Sequence, residues 1–247
     1  MAFPPIVLLA DSQLLFLRAD DGSRVLEQLM GLGGGPIRRV AYLGASNGDE
    51  PAYFELFQAA LDGLEVDACR HVTADPTPDD LAFVAEADLL LLAGGDVDRG
   101  LRAFRRSGLA QQIVDGYLRG ALLVGVSAGA VQLGTGEEVN GANVAEGSED
   151  GPLTSFRFAP FTIDVHAEPD WVGLRKSVAR RGAGARGIGI PAGAGAIFHR
   201  DGSLEPLRRG LVELVVADDG TISEAVLVPG EASPAPPPAP VVDRSLN

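Results

Sequence analysis

Nearly unbroken apolar runs punctuate the first half of the chain: IVLLA at residues 6–10, RRVAYLG at 38–44, LEVDA at 64–68, DLLLLAGG at 88–95 and ALLVGV at 121–126. A strand with one wet face alternates apolar and polar positions, so runs lacking that alternation predict strands covered on both faces, as in a parallel sheet. Between them the period becomes helical. EPAYFELFQAALDGL sets Tyr53, Leu56, Phe57, Ala60 and Leu61 on one helical face, with Pro51 suited to the first turn. DRGLRAF and SGLAQQIVDGYLRG add helix, with Ser107 as the predicted cap of the second. This βαβα alternation predicts an α/β fold, a three-layer α/β/α sandwich around a mainly parallel, doubly wound sheet.

The pattern changes after residue 134. TGEEVNGANVAEGSEDGP, at 135–152, is polar and Gly-rich and reads as an excursion over the active face with little regular structure. FTIDVH then predicts a strand, and WVGLRKSVARR a helix whose basic last turn suits its dipole. GIGI, AIFH, LVELVVA and AVLVPG read as short strands, with Asp-Gly at 201–202 and 219–220 marking hairpin turns. From Glu231 the Pro/Ala-rich EASPAPPPAPVVDRSLN predicts an extended arm outside the fold. The expected organisation is one α/β domain over residues 1–230 and a tail over 231–247.

Composition narrows the function classes. The 247 residues carry a formal net charge of −14, which repels nucleic-acid phosphates and anionic membranes. A single cysteine, Cys69, excludes an intrachain disulfide framework and any metal site built on several thiolates. The first residues, MAFPPIVLLADSQ, lack a basic start, and their apolar run is too short for export or for crossing a bilayer. A cytoplasmic protein needing no metal and no cofactor is the expectation.

Within ALLVGVSAGAVQLG the string GVSAG matches G-x-S-x-G, with Ser127 directly after a predicted buried strand and directly before a small-residue helix start. A nucleophile elbow needs that strand–turn–helix context, and the helix start would aim the Ala128 N–H at a developing oxyanion. AGGD at 93–96 also follows a strand; glycines there let backbone N–H groups approach a ligand at the open end of the sheet. Gly95 is the candidate second oxyanion donor, with Gly94 and Asp96 as substrate contacts. Of the three histidines, His71 and His199 read as surface residues, whereas His166 closes FTIDVH at a strand end and can serve as a general base.

Together, GASNGDEPAYFELF, LLLAGGD, GVSAGA and the Asp164-x-His166 pair resemble the serine peptidase family of peptidase E and cyanophycinase, over roughly residues 38 to 200. The resemblance implies a class I glutamine amidotransferase-like fold, Ser127 as nucleophile, His166 as base, and Gly95 and Ala128 as oxyanion donors. Asn47, in the first of these stretches, joins Gly94 and Asp96 as a candidate substrate contact. One feature departs from the family. The acidic residue that orients the histidine in cyanophycinase-like members is replaced by Ala192 in GIGIPAGAGAIFH, and the alternative neighbourhood, VNGANVA, holds no carboxylate. Glu168 is the favoured substitute; Asp164, Glu137 and Glu138 stay open. The segment EPDWVGLRKS also departs, so specificity for Asp-X dipeptides or cyanophycin does not carry over.

The expected activity is hydrolysis of short peptides by Ser127 and His166, as a dipeptidase, aminopeptidase or carboxypeptidase, with a homodimer as a possible assembly. An α/β-hydrolase esterase is disfavoured, because its histidine normally comes late and no HGG-type motif is present. A glutamine amidotransferase would need cysteine where Ser127 stands. A noncatalytic member of the same fold that binds a peptide or small molecule is the remaining alternative.

Overall fold

Alternate residues of the all-apolar runs bury on opposite sides of one sheet. In the computed structural model, which describes residues 3–19, 22–136, 154–166 and 170–230, the chain runs β1 (Ile6–Leu9), α1 (Val25–Met30), β2 (Arg39–Leu43), α2 (Pro51–Leu61), β3 (Ala68–Val72), α3 (Pro78–Ala85), β4 (Leu89–Leu92), α4 (Val97–Ser107), α5 (Leu109–Arg119), β5 (Leu122–Val126) and α6 (Ala128–Leu133). It continues with β6 (Thr162–Val165), α7 (Val172–Arg181), β7 (Arg186–Ile190), β8 (Gly195–Phe198), β9 (Leu204–Leu207), β10 (Leu211–Val216) and β11 (Ile222–Leu227). Ile6, Leu8, Leu90, Leu92 and Leu123 pack with Phe83 of α3, Phe104 of α4, Ile113 of α5 and Leu133 of α6. Their neighbours Val7, Leu9, Leu89, Leu91 and Val124 pack with Leu26 and Leu29 of α1 and Phe57 and Leu61 of α2. Two cores on one sheet make the three-layer α/β/α sandwich that the runs predict.

The main sheet has the order β3-β2-β4-β5-β1-β8-β9. Its first five strands pair in parallel; β8 and β9 join antiparallel. A second sheet, β11-β10-β7-β6, carries α7, whose Leu174 and Val178 pack on Leu214 and Val216. Periodicity does not show this division into two sheets. Both Asp-Gly signals sit in hairpin turns, with Gly202 at φ 84° and Gly220 at φ 82°. Pro206 lies within β9, which pairs with one neighbour only, so its missing N–H costs no ladder bond.

Two local expectations are corrected. The edge strand covers residues 68–72 rather than 64–68, because Ala68–Val72 pairs with Arg39–Leu43 while Leu64 and Val66 pack on the core from the preceding turn. Ser107 ends α4, its hydroxyl donating to Ala103 O (2.8 Å), and Gly108, at φ 80°, makes the turn into α5. On α2, Phe57, Ala60 and Leu61 are buried, but Tyr53 and Leu56 are each 53% exposed. The expected excursion lies outside the described residues over 137–153, and so does the tail from Glu231.

Candidate active site

β5 delivers Ser127 into a turn that few L-residues adopt. Its φ of 50° and ψ of −113° lie outside the favoured regions, a strain that persists only where surroundings over-determine it. Here the Ser127 N–H donates to Leu9 O of the adjacent strand (2.8 Å), while Ser127 O accepts from Ala130 N (2.9 Å) to start α6. Two glycines permit the close crossing of helix over strand: a Cβ on Gly125 would lie 2.6 Å from Gly129 O, and one on Gly129 2.1 Å from Leu92 O. The Ser127 side chain makes no capping bond to its own helix. Its Oγ instead lies 3.0 Å from His166 Nε2, hydrogen-bond range for a nucleophile and its base.

His166 follows β6 with φ 77°, held by its N–H donating to Ile190 O (2.9 Å) at the end of β7. The second sheet therefore supplies the base and the first the nucleophile. Among the described residues no hydrogen-bond partner engages the other ring nitrogen. Asp164 lies elsewhere: one carboxylate oxygen accepts from Val165 N (2.9 Å), and the side chain lines a different cavity with Gly173 and Ser177. Glu168, Glu137 and Glu138 lie outside the described residues.

The AGGD turn packs directly on the elbow. A Cβ on Gly94 would sit 3.2 Å from Ser127 Cβ, and Gly95 adopts φ 131° under the Ser46 carbonyl. Among the described residues, no backbone acceptor takes the N–H of Gly95 or Ala128. Asp96 serves the fold instead: it caps α4 by accepting from Arg99 N (2.7 Å), and it does not line the cavity beside Ser127. Asn47 does line it, its amide donating to Tyr42 Oη (2.8 Å) and its Oδ1 accepting from Glu50 N (3.2 Å).

This cavity, about 220 Å³, opens where the parallel strands end, as open α/β sheets bind ligands. Gly94, Gly95, Ser127 and His166 meet in it with Tyr42, Tyr53, Leu56 and Phe57, none of which sequence patterning marks as site residues. The exposed apolar pair Tyr53 and Leu56 belongs to its wall, so the apolar face of α2 runs on from the core into the cavity. Burial, against a weaker opposing bond from Asn47, pushes the Tyr42 phenol up to about 12, so it stays a neutral hydroxyl. Gln132 also escaped sequence reading. It is fully buried on α6 and donates to Ser46 Oγ (3.0 Å) and Val97 O (3.0 Å), tying the nucleophile helix to the turn that covers Gly95. A lone polar residue in AGAVQLG was the available signal.

Behind Tyr42, His71 is half-buried rather than fully at the surface. It stacks on Phe54 (5.0 Å between centroids), meets Tyr42 edge-on, and its Nε2 is buried without a partner beside the Asp49 carboxylate. Desolvation lowers its pKa from the ordinary 6.5, outweighing the charge of Asp49. The unfolded chain then takes up the proton first, so stability is unaffected above the unfolded value and declines as pH falls from there to the lowered folded value. Melting temperature is expected to drop as pH falls below about 6.5, and less steeply in His71→Gln; equal slopes in the two proteins would contradict this. His199, by contrast, pairs with Glu205 (2.9 Å) beside its hairpin.

Comparisons with known proteins bear on the family and the fold. A sequence profile of Peptidase family S51 matches residues 8–201, from within β1 to the β8–β9 turn, leaving β9, β10 and β11 outside it. The chain belongs to peptidase family S51. A curated relative, the "Uncharacterized peptidase YgaJ" of Bacillus subtilis (strain 168), is 28% identical over 126 residues, half of each chain. The match thus spans about half the length of that relative. Two solved structures share the fold. A peptidase from an acI-B1 Actinobacterium has TM-score 0.60 at 16% identity, covering 94% of this chain and 97% of its own. A putative peptidase E protein from Listeria monocytogenes EGD-e has TM-score 0.60 at 15% identity, covering 84% and 99%. The S51 match encloses GGD, the elbow serine and the strand-end histidine, so the resemblance read from these motifs is the family itself. Among the described residues, no helix is long and apolar enough to cross a membrane.

Proposed function

We propose that this S51 chain is a serine peptidase that hydrolyses short peptides through Ser127 and His166. The observation that carries the reading is the 3.0 Å contact between Ser127 Oγ and His166 Nε2, made by a hydroxyl held in a strained strand–helix turn. His166 Nε2 accepts the hydroxyl proton as Oγ attacks the scissile carbonyl, and returns it to the leaving amine when the C–N bond breaks. The N–H groups of Gly95 and Ala128 stabilise the tetrahedral oxyanion. Water then attacks the acyl-enzyme with His166 again taking the proton, releasing the acid and regenerating Ser127. Asn47 and Gly94 complete the substrate contacts. Small substrates suit a nucleophile reached through a cavity of about 220 Å³. Residues 1–230 form the catalytic unit in this reading, and residues 231–247 are an appendage to it. A cytoplasmic location is in keeping with the single free cysteine, Cys69, whose thiol burial pushes up to about 11 and so keeps neutral.

Glu168, two residues beyond His166, is the proposed orienter of the imidazole. Glu168→Gln is expected to lower kcat by roughly 10²- to 10⁴-fold with little change in KM, by analogy with neutralising a triad carboxylate. An unchanged kcat would return the role to another group.

A fluorophosphonate that phosphorylates reactive serines tests the proposal. An adduct on Ser127 that disappears in His166→Ala supports a catalytic pair. Absence of an adduct favours the second reading, a peptide-binding member of the fold without turnover. The lack of a described partner on the second nitrogen of His166 is the observation on that side.

A further inference from the structure

We propose that the cavity beside Ser127 seats an uncharged, apolar side chain of the peptide, aliphatic or aromatic, and rejects an acidic one. This rests on the peptidase reading above and adds the substrate class. The walls are Leu15, Phe16, Leu56, Phe57, Leu91 and Val126. A cavity of about 150 Å³ with aliphatic and aromatic walls takes up benzene; at about 220 Å³ this one admits a Leu or Phe side chain. Leu56 and Tyr53, each 53% exposed on α2, are large apolar groups that a bound side chain would cover.

The polar groups of the lining do not offer an anion a charged partner. Both oxygens of Asp11, among the described lining residues the one ionisable side chain apart from His166 and the two tyrosines, accept backbone N–H groups, from Gln13 (3.1 Å) and Gly193 (2.7 Å). Asn47 spends its amide on Tyr42 and its carbonyl on Glu50. Ser12 and Tyr53 add neutral hydroxyls, and among the described residues the lining contains no Lys or Arg. An aspartyl side chain entering the cavity would lose its hydration, gain no charged partner and meet the Asp11 carboxylate. An apolar side chain gains by leaving water.

Tripeptides with Leu, Phe or Asp at each position in turn and Gly elsewhere, offered both as substrates and as protectants of Ser127 against the fluorophosphonate, test this. At the position that matters, Leu and Phe should exceed Asp in kcat/KM and in protection by roughly 10- to 200-fold, the range a hydrophobic pocket achieves. Leu56→Arg, on an exposed helix position, should cut that preference about tenfold or more by giving the carboxylate a partner. Tyr53→Arg is the second variant should the first lose its melting transition. Asp equal to or better than Leu at every position, or no protection by any peptide while Ser127 still labels, overturns the apolar assignment and leaves the nucleophile standing. A protein in which Ser127 never labels overturns the peptidase reading and this inference with it.

Discussion

Ser127→Ala is expected to lower kcat on short peptides by about 10⁴- to 10⁶-fold, and His166→Ala by a similar factor, while the double variant is little worse than either. The non-additivity is the informative part. An imidazole has nothing to deprotonate once Oγ is gone, and Oγ without the imidazole is a neutral alcohol, so each removal disables the same step. Stability should hardly change in Ser127→Ala, because the hydroxyl makes no cap or core bond and alanine keeps the same backbone strain at φ 50°. Single-turnover kinetics and melting curves on the three variants check both halves. A Ser127→Ala protein that cleaves peptides at the wild-type rate would move the chemistry away from the elbow.

Gly95→Ala should produce the largest combined loss outside the pair. Its φ of 131° is a conformation that L-residues rarely adopt, and a Cβ there would lie 2.2 Å from Ser46 O and 2.8 Å from Asn47 N, both backbone atoms. Because backbone cannot swing aside as a side-chain tip can, the turn must shift, at about 1–3 kcal/mol of stability. Shifting it misdirects the Gly95 N–H, and losing one oxyanion donor costs about 10²–10³ in kcat. Gly100→Ala is the control. Its Cβ would press on Ser46 Oγ at 2.1 Å and Gln132 Nε2 at 2.3 Å, so it strains the same region without carrying the amide. Comparable kcat losses in the two variants at matched stability would deny Gly95 its donor role.

The sequence by itself went far wherever the information is local or periodic. Strands covered on both faces must be apolar throughout, so IVLLA, LLLL and LLVGV were legible as the centre of a parallel sheet, and their succession with helical segments gave the layers. The elbow was legible because closeness demands glycine: Gly125 and Gly129 stand where any side chain would strike backbone, and that requirement is written as G-x-S-x-G. The turns at Asp-Gly were readable for the same kind of reason, a positive φ at one residue.

What the tertiary structure alone decided concerns contacts between segments distant in sequence. Ser127 and His166 are 39 residues apart and sit on different sheets, so no spacing rule brings Oγ to within 3.0 Å of Nε2; the pairings of β5 with β1 and of β6 with β7 do. Tyr53 and Leu56 obey the helical period and still escape burial, because the period records which face is apolar and not whether a layer or an open cavity lies against it. His71 looks like a surface histidine until β3 pairs with β2 and sets its ring against Phe54 and Tyr42. Gln132 and Asp96 divide in the same way: both are polar residues near the elbow, yet one ties three elements together from a buried position while the other caps a helix. A side chain's role depends on what the other elements place within a few ångströms of it, and that neighbourhood exists only once the chain has closed on itself.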